Sequence, residues 1–382
     1  AGKTNNYTAL INKASDLGYK LVIVLSGVTK NLRVQTQRRL DADYIGRQSV
    51  AERNKESHQR IGVGLDPTTD NLKVPTSITD QSTDFVFKNG LVVESQNNPV
   101  LIVTIKNKSI LENIRDWIKG QVDPSTQKFT SPVLIIDDES DNASVNTSDP
   151  DENPKTINRL IREIISYCQR ASYVAYTATP FANIFIDPDS KGDKSGMTDL
   201  YPSHFIVVIN SPSNYCGGKF FYDKNFATES PYIRRIIDDA ESFIPMKHKA
   251  NLQPKTLPPS LKEAILSFFV ASAIKEIRRK NGLLDANQNK YDSCLINASR
   301  FIEVQNDLTT IVSNYVESIV QELALGQSDS ELIAAMEKIF TDHYKKRANI
   351  REMWQDVFAT MRQMPAPDVL TVHGESKDPL DY

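Results

Sequence analysis

Val133-Leu134-Ile135-Ile136 is an apolar run of strand length, and Asp137-Asp138-Glu139-Ser140-Asp141 follows it directly. The run lacks any alternation of polar and apolar residues, so it predicts a strand that helices cover on both faces, as in a parallel α/β sheet. In such sheets, ligands bind beyond the carboxyl ends of the strands. The carboxylates are therefore predicted to lie at the edge of the sheet where a ligand can bind.

The same pattern recurs along the first half of the chain. Apolar runs predict strands at residues 21–25, 100–104, 133–136 and 173–176. Amphipathic spacing predicts a helix at residues 3–17, before the first strand, and helices at residues 110–118 and 157–168, between strands. Gly18 can adopt the left-handed backbone conformation that ends the first of these helices. Because strands and helices alternate, we expect an α/β fold with a parallel sheet flanked by helices.

The composition changes after the fourth predicted strand. Residues 187–218 are rich in Gly, Ser, Pro and Asp, apart from a strand-like run at residues 205–209. Such a segment is typical of a domain boundary, and we expect a first domain at residues 1–215 and a second at residues 216–382.

The second half has mainly helical spacing. Its predicted helices lie near residues 260–280, 301–323, 331–340 and 353–361. Ser260 and Glu263 have the spacing of a capping box at the start of the first of these. Two apolar runs, residues 294–297 and 369–372, predict strands, so the second domain is expected to be rich in helices and to contain part of a second RecA-like sheet.

The chain opens with Ala1-Gly2-Lys3-Thr4, directly before the first predicted helix. These residues match the end of a phosphate-binding loop, in which backbone N–H groups at a helix start hold phosphates. In that interpretation Gly2, Lys3 and Thr4 bind ATP, with Lys3 on the β and γ phosphates and the Thr4 hydroxyl on Mg²⁺. The first glycine of the loop and the strand before it would then precede Ala1. The alternative is that these four residues are an ordinary exposed helix start that binds no phosphate.

Asp138 and Glu139 are the candidate catalytic pair. At the end of a predicted strand, Asp138 can bind Mg²⁺ and Glu139 can polarise the attacking water. An acidic loop that only contacts solvent is the alternative for the same residues. The candidate phosphate-binding helix upstream in the same sheet favours the catalytic interpretation.

Thr177-Ala178-Thr179-Pro180 follows the fourth predicted strand. In helicases, a Ser/Thr-Ala-Thr triplet at this point links the nucleotide state to movement of the second domain. A simple exit from the strand is the alternative, because the residue before a proline prefers an extended backbone. The three motifs have the order and the strand-end positions of a P-loop ATPase of the helicase type, and we expect a RecA-like first domain.

Charge and cysteine content exclude several classes of protein. The 45 Lys and Arg residues against 48 Asp and Glu residues give a net charge of -3, so no basic field over the whole molecule attracts nucleic acid or anionic lipid. Any contact with nucleic acid must be a local groove. The three cysteines form no CxxC pair, which argues against a zinc site and favours a reducing, intracellular setting. No apolar run reaches the length of a membrane span.

Four longer segments resemble the Z-one domain family, whose members are endonuclease-associated proteins built on a superfamily-two helicase core. These segments are VIVLSGVTKNLRVQTQRRL, LIIDDESDNASVNT, YVAYTATPFANIFIDP and LINASRFIEVQNDL. By this resemblance, Asp138-Glu139-Ser140-Asp141 takes the place of the DExD box and Gly2-Lys3-Thr4 that of motif I. Thr177 and Thr179, with Asp141, would then couple ATP hydrolysis to movement.

The resemblance also implies residues that touch nucleic acid. Ser26 and residues 32–39, with Arg33, Arg38 and Arg39, correspond to the region where helicases contact the nucleic-acid backbone. A solvated helix face is the alternative for these arginines. Arg300 is the candidate for a second-domain arginine, with packing or a surface ion pair as its alternative.

The expected function is therefore that of an ATP-dependent helicase-like or translocase-like ATPase with ATP and Mg²⁺ as cofactors. By resemblance it acts on nucleic acid, DNA rather than RNA, in the cytoplasm of a bacterium as part of a defence or restriction-type system. A nuclease or another subunit of such a system is the expected protein partner, and no membrane is involved. Two alternatives stay open: an endonuclease in its own right, or a nucleotide-sensing scaffold. Residues 150–155, PDENPK, approach a nuclease signature, but their two prolines favour a loop over the strand that this signature needs.

Overall fold

The computed structural model describes most of the chain and divides it into two compact units. The described residues are 2–49, 59–68, 74–87, 91–146, 155–186, 197–211, 213, 215–218, 221, 237–284, 291–326, 330–346 and 350–372. The first unit is Ala1–Tyr215 and the second is Cys216–Tyr382.

The first unit contains a five-stranded parallel sheet in the order β2-β3-β1-β4-β5. The strands are β1 (Leu21–Leu25), β2 (Thr76–Ser77), β3 (Val100–Thr104), β4 (Val133–Asp138) and β5 (Ala171–Tyr176). The helices are α1 (Lys3–Asp16), α2 (Lys30–Leu40), α3 (Lys108–Lys119), α4 (Thr156–Tyr167) and the short α5 (Phe181–Ile184). The α/β fold with a parallel sheet flanked by helices is thus confirmed.

Helices cover the sheet on both faces. Alternate residues of β1, β3 and β4 point in opposite directions, and every residue of β1 and β3 is buried. One face packs against α3 and α4, and the other against α1 and α2. Each fully buried aliphatic side chain stabilises the fold by about 1.5–3 kcal/mol, which explains why these strands carry no polar alternation.

The register of the sheet aligns the ends of its three central strands. Leu25 of β1 lies beside Thr104 of β3 and beside Asp137 of β4. Ser26 then continues the ladder, since its N–H donates to the Thr104 carbonyl at 2.9 Å. The residues that follow the three strands therefore meet at one edge, which we call the carboxyl edge.

The second unit is helical in the residues that the structure describes. Its helices are α6 (Ala240–Phe243), α7 (Pro259–Lys280), α8 (Ile302–Leu325), α9 (Glu331–Ile339) and α10 (Trp354–Gln363). Helix α7 packs against α9 and α10, and α8 packs against the same two helices. On α8 the buried apolar residues recur every three or four positions, as an amphipathic helix requires.

The strands predicted in the second unit are not formed. Residues 294–297 and 369–372 have no regular structure, and the described part of this unit contains no strand. In the first unit, residues 205–209 are likewise irregular, with Val208 85% exposed. An apolar run becomes a strand only where a neighbouring strand accepts its hydrogen bonds, and none of these runs has such a neighbour in the described chain. The partial second sheet was therefore a wrong prediction for the described residues.

The predicted capping box at the start of α7 is also wrong. Helix α7 begins at Pro259, and the Ser260 hydroxyl does not cap it. Instead, the Ser260 N–H donates to Asp239 Oδ2 at 2.9 Å and its hydroxyl donates to Asp239 Oδ1 at 2.5 Å. A carboxylate from 21 residues upstream thus satisfies this helix start, and sequence spacing cannot reveal a partner at that distance.

Candidate functional site

Helix α1 begins at the carboxyl edge, beside the end of β4. Gly2 precedes the helix with φ 86°, a left-handed conformation that favours glycine. The Lys3 ammonium lies 2.6 Å from Glu139 Oε1 and 3.5 Å from Asp138 Oδ1. The N–H groups of the first turn have no acceptor inside the helix, so they and Lys3 together form a positive group facing the two carboxylates.

Two tyrosines attach α1 to the neighbouring strand. The rings of Tyr7 on α1 and Tyr176 on β5 meet edge to face, with centroids 5.5 Å apart. The Tyr176 hydroxyl donates to Asn6 Oδ1 at 2.7 Å. These contacts hold the first turn of α1, including Thr4, near the end of the sheet. The Thr4 side chain is half-buried.

Asp138 and Glu139 differ in their surroundings. The Asp138 side chain is 16% exposed and that of Glu139 is 42% exposed. Burial raises the pKa of Asp138, and the charge of Lys3 with the Glu139 N–H only partly offsets this effect. Glu139 has φ 51°, which is strained for a residue with a side chain. The sharp turn aims the two consecutive carboxylates at the same lysine.

Asp141 holds both threonines of the segment after β5. The Thr177 hydroxyl donates to Asp141 Oδ1 at 2.6 Å, and the Thr179 hydroxyl donates to Oδ2 at 2.8 Å. Partial burial disfavours the charge of this carboxylate, but the two hydrogen bonds outweigh it and lower the pKa of Asp141. The segments after β4 and β5 are therefore connected through one carboxylate.

Sequence reasoning missed Lys106, which lies beneath this loop. Its ammonium is 2.7 Å from Asp137 Oδ1, and both side chains are completely buried. It also donates to the carbonyls of Glu139, at 2.7 Å, and Asn142, at 3.1 Å. Lys106 thus fixes the strained turn from below. The available signal was its position two residues after β3, the same strand-end position that singled out the acidic residues.

The half-buried Tyr173 also contacts Asp137. Its hydroxyl donates to Asp137 Oδ2 at 2.5 Å. Burial, and next the charge of Asp137, raise the pKa of Tyr173 well above its ordinary value, so the hydroxyl remains a donor. Asp137 therefore has a partner on each oxygen, while Asp138 and Glu139 face the open side of the edge.

Two of the residues proposed to contact nucleic acid are buried. Arg33 is 1% exposed, donates to the carbonyls of Asp80 and Gln81, and forms an ion pair with Asp84 at 3.6 Å. Ser26 is 3% exposed, and its hydroxyl donates to the Thr104 carbonyl at 3.0 Å. Because a phosphate cannot reach either side chain, their assignment to a nucleic-acid surface is corrected to a role inside the fold.

Arg38 and Arg39 remain accessible. Arg38 is half-buried and donates to Gln81 Oε1 at 3.1 Å, whereas Arg39 is exposed. Arg39 donates to Asn5 Oδ1 at 2.9 Å and lies 3.7 Å from Asp43. Asn5 belongs to the first turn of α1, so Arg39 lies close to the helix start that carries Lys3.

Arg300 belongs to the second unit and precedes α8. It is exposed, and its guanidinium carbon lies 4.9 Å from the centre of the Phe301 ring. Arg300 forms no ion pair in the described residues and is not buried, so its predicted role as a second-domain arginine stays a prediction.

Residues 150–154 of the nuclease-like segment lie outside the described residues.

The carboxyl edge has the oxygen ligands that Mg²⁺ prefers, namely the Thr4 hydroxyl and the Asp138 carboxylate. The Lys3 ammonium lies within 3.5 Å of both Asp138 and Glu139, so the two carboxylates face the same positive charge. Within the described chain, no three His, Cys, Asp or Glu residues cluster as a metal cage. Mg²⁺ that also binds phosphate oxygens and water does not need such a cage.

Among the described residues, no helix is both long and apolar enough to cross a membrane.

Comparisons with curated proteins and with solved structures find no match to this chain. One family model matches, and it covers the helices α7 to α10 but not the carboxyl edge. Residues 260–382 match the model of the Z1 domain family.

Proposed function

We propose that the first unit is the RecA-like nucleotide-binding domain of a P-loop ATPase of the helicase type. Its site is the carboxyl edge, with Gly2, Lys3 and Thr4 on the phosphates of ATP and Thr4 and Asp138 on Mg²⁺. Bound Mg²⁺ supplies a positive charge that neutralises the phosphate oxygens. The ATPase acts on nucleic acid, DNA rather than RNA.

One observation carries this proposal. Three segments that are far apart in the sequence and that match the motifs of such ATPases meet at one edge of the sheet: Lys3 contacts Asp138 and Glu139, and Asp141 holds Thr177 and Thr179. A solvated acidic loop does not require any of these contacts.

The arrangement of charges indicates how the residues divide the work. The Lys3 ammonium is attracted to its carboxylates at 2.6 and 3.5 Å, and a triphosphate carries more negative charge than they do. When ATP binds, we expect Lys3 to move onto the phosphates, which frees Glu139. A freed Glu139 carboxylate can accept a proton from the attacking water and orient it toward the γ phosphate. Lys106 keeps the backbone carbonyl of Glu139 in place during this change.

Coupling to nucleic acid is assigned to the contact between Asp141 and the two threonines. The side chains of Asp138 and Glu139 rearrange when ATP binds, and Asp141, in the same loop, is hydrogen-bonded to the segment after β5. That segment leads directly into α5. The contact therefore provides a short mechanical route from the hydrolytic site to the chain beyond the sheet.

The test is ATP hydrolysis by the purified protein with Mg²⁺, measured without nucleic acid and with single-stranded DNA, duplex DNA or RNA. We expect turnover to rise with DNA. Glu139→Gln should lower kcat by about 100-fold or more, because loss of a general base typically costs that much, while ATP binding is retained. Asp16→Asn is the matched control, since it removes an exposed carboxylate from the opposite end of α1.

Three results contradict the proposal. Wild-type turnover in Glu139→Gln would remove this residue from the reaction. ATP binding without turnover in any condition would favour a nucleotide-sensing scaffold. Cleavage of DNA in the absence of ATP would favour an endonuclease.

The cellular setting is part of the same proposal. From the resemblance of four segments to the Z-one domain family, we propose an ATPase that works beside a nuclease or another subunit of a defence or restriction-type system in the bacterial cytoplasm. Co-purification of such a subunit with the tagged protein tests this part separately.

A further inference from the structure

A surface cavity of about 850 Å³ lies in the second unit, between two loops. Residues 246–250 form one wall, and residues 297–301, which precede α8, form the other. All ten of its lining residues belong to this unit. Its volume lies in the range of small-molecule sites and exceeds what a single phosphate ion occupies.

The lining of the cavity is basic. Lys247, Lys249 and Arg300 line it with exposed side chains, and its ten lining residues include no Asp or Glu. None of the three cations forms an ion pair in the described part of the chain. Three unneutralised charges around one concave surface attract an anion, and the low-dielectric wall strengthens that attraction.

Arg300 is held in place without losing its hydrogen-bond donors. Its guanidinium lies against the face of Phe301, 4.9 Å from the ring centre. His248 contacts the same ring edge to face, with centroids 5.4 Å apart. A guanidinium stacked on an aromatic ring keeps its N–H groups at the rim, where they can bind phosphate oxygens.

The floor of the cavity is a fixed polar group. His248 Nδ1 lies 2.7 Å from the Pro245 carbonyl, and Nε2 lies 2.8 Å from Ser299 Oγ. A carbonyl only accepts hydrogen bonds, so Nδ1 carries a proton, and in the neutral ring Nε2 accepts the Ser299 hydroxyl. Ser299, 8% exposed, also accepts the N–H of Phe301 at 3.1 Å. The two walls are thereby joined, and the cavity has a defined shape.

We propose that this cavity binds the phosphate backbone of single-stranded nucleic acid. Its three cations match phosphodiester charges, and Met246, 84% exposed in the wall, offers an apolar surface beside them. A positively charged groove that follows the backbone is how proteins hold single strands without reading sequence. Nucleic acid as the ligand rests on the proposed function, but the site lies in the other unit from the ATP site.

The experiment measures fluorescence anisotropy of a labelled oligothymidylate of about 20 nucleotides, without ATP. The test variant is Lys247→Ala/Lys249→Ala/Arg300→Ala. The control is Lys280→Ala/Lys338→Ala/Lys346→Ala, which removes the same charge from exposed residues elsewhere in the second unit. Circular dichroism establishes that both variants are folded.

We expect the test variant to bind at least about tenfold more weakly than the wild type, and the control to bind like the wild type. The slope of log affinity against log salt should fall by about 2 in the test variant, since each phosphate contact to a single strand contributes about 0.7. Lys247→Gln alone should produce a smaller loss in the same direction.

Equal binding by the test variant and the control overturns the proposal. Inorganic phosphate is added as a competitor at matched ionic strength. Displacement of half of the oligonucleotide by phosphate at a concentration no higher than that of the oligonucleotide would overturn the nucleic-acid ligand in favour of free phosphate, because a site for a strand binds the strand more tightly than a single ion. Because no ATP is present, a failure of the ATPase in a separate assay does not alter either outcome.

Discussion

Two ion pairs of the same length show how the two units differ. Lys106 and Asp137 are 2.7 Å apart beneath the carboxyl edge, and both side chains are completely buried. Lys346 and Asp342 are also 2.7 Å apart in the second unit, but their side chains are 68% and 38% exposed. Removing two charges from water costs several kcal/mol per ion, whereas an exposed pair loses little hydration. The pair in the first unit therefore carries a desolvation cost that the pair in the second unit does not.

The surroundings of the two pairs explain that cost. Lys106 also holds the carbonyl of Glu139, whose backbone is strained, directly below the two carboxylates that contact Lys3. Lys346 and Asp342 lie four residues apart on one helical turn and hold nothing else in the described residues. Buried charge and strained backbone coincide at the carboxyl edge, which is where we propose that ATP binds.

The largest expected effect comes from Lys106→Met. This change leaves Asp137 buried without its cation, and breaking a buried pair typically costs about 3–5 kcal/mol of unfolding free energy. The measurement is urea unfolding in a Trp354→Phe background, because the chain has two tryptophans and the remaining Trp117 reports on the first unit.

Lys346→Met is the control with an exposed ion pair, and it is followed by circular dichroism because Lys346 lies in the second unit, on which Trp117 does not report. Its pair is exposed, so the urea midpoint followed by circular dichroism should not change. An equal decrease in the free energy of unfolding in Lys106→Met and Lys346→Met would contradict the difference between the two ion pairs.

The next effect concerns the double variant Thr177→Val/Thr179→Val. Loss of the hydrogen bonds to Asp141 should abolish the stimulation of ATP turnover by DNA, with ATP binding unchanged. The stability of the first unit should fall by only about 1 kcal/mol, because the threonines are partly exposed. Thr310→Val, an exposed threonine on α8, is the control, and retained stimulation in the double variant would disprove the coupling role.

The smallest effect is a gain in stability from Asp138→Asn without nucleotide. Burial raises the pKa of Asp138, so the native state binds this proton more tightly than the unfolded state does. The ionised carboxylate therefore lowers stability, and the asparagine variant should have the higher melting temperature at neutral pH. This gain should be complete above the raised pKa and vanish below the ordinary Asp value near 3.9, as thermal unfolding across pH would reveal. A loss of stability at neutral pH would contradict the account.

The sequence predicted the central sheet well because its strands are buried on both faces. Residues 21–25, 100–103 and 133–136 are apolar at every position, and each of these strands lies between helices. The same pattern failed at residues 294–297 and 369–372, since an apolar run does not reveal whether another strand is available to pair with it.

The position of a residue at the carboxyl edge was predictable where the residue belongs to a strand end or follows it directly, as Asp138 and Thr177 do. Arg33 was not, because its burial depends on carbonyls of residues 80, 81 and 83, about 50 positions later. Lys106 was missed for a related reason. Its pairing with Asp137 depends on the sheet register, which places β3 and β4 on opposite sides of β1.

The most direct test of the carboxyl edge as a nucleotide site is calorimetric titration of ATP with Mg²⁺ into the protein and into Lys3→Ala. Lys13→Ala, on the last turn of the same helix, is the control for loss of a lysine. A charge-assisted hydrogen bond contributes about 1.5–3 kcal/mol, so Lys3→Ala should bind ATP at least about tenfold more weakly, with Lys13→Ala unchanged. Equal affinity in Lys3→Ala and Lys13→Ala, or no binding of ATP by the wild type, would contradict the account.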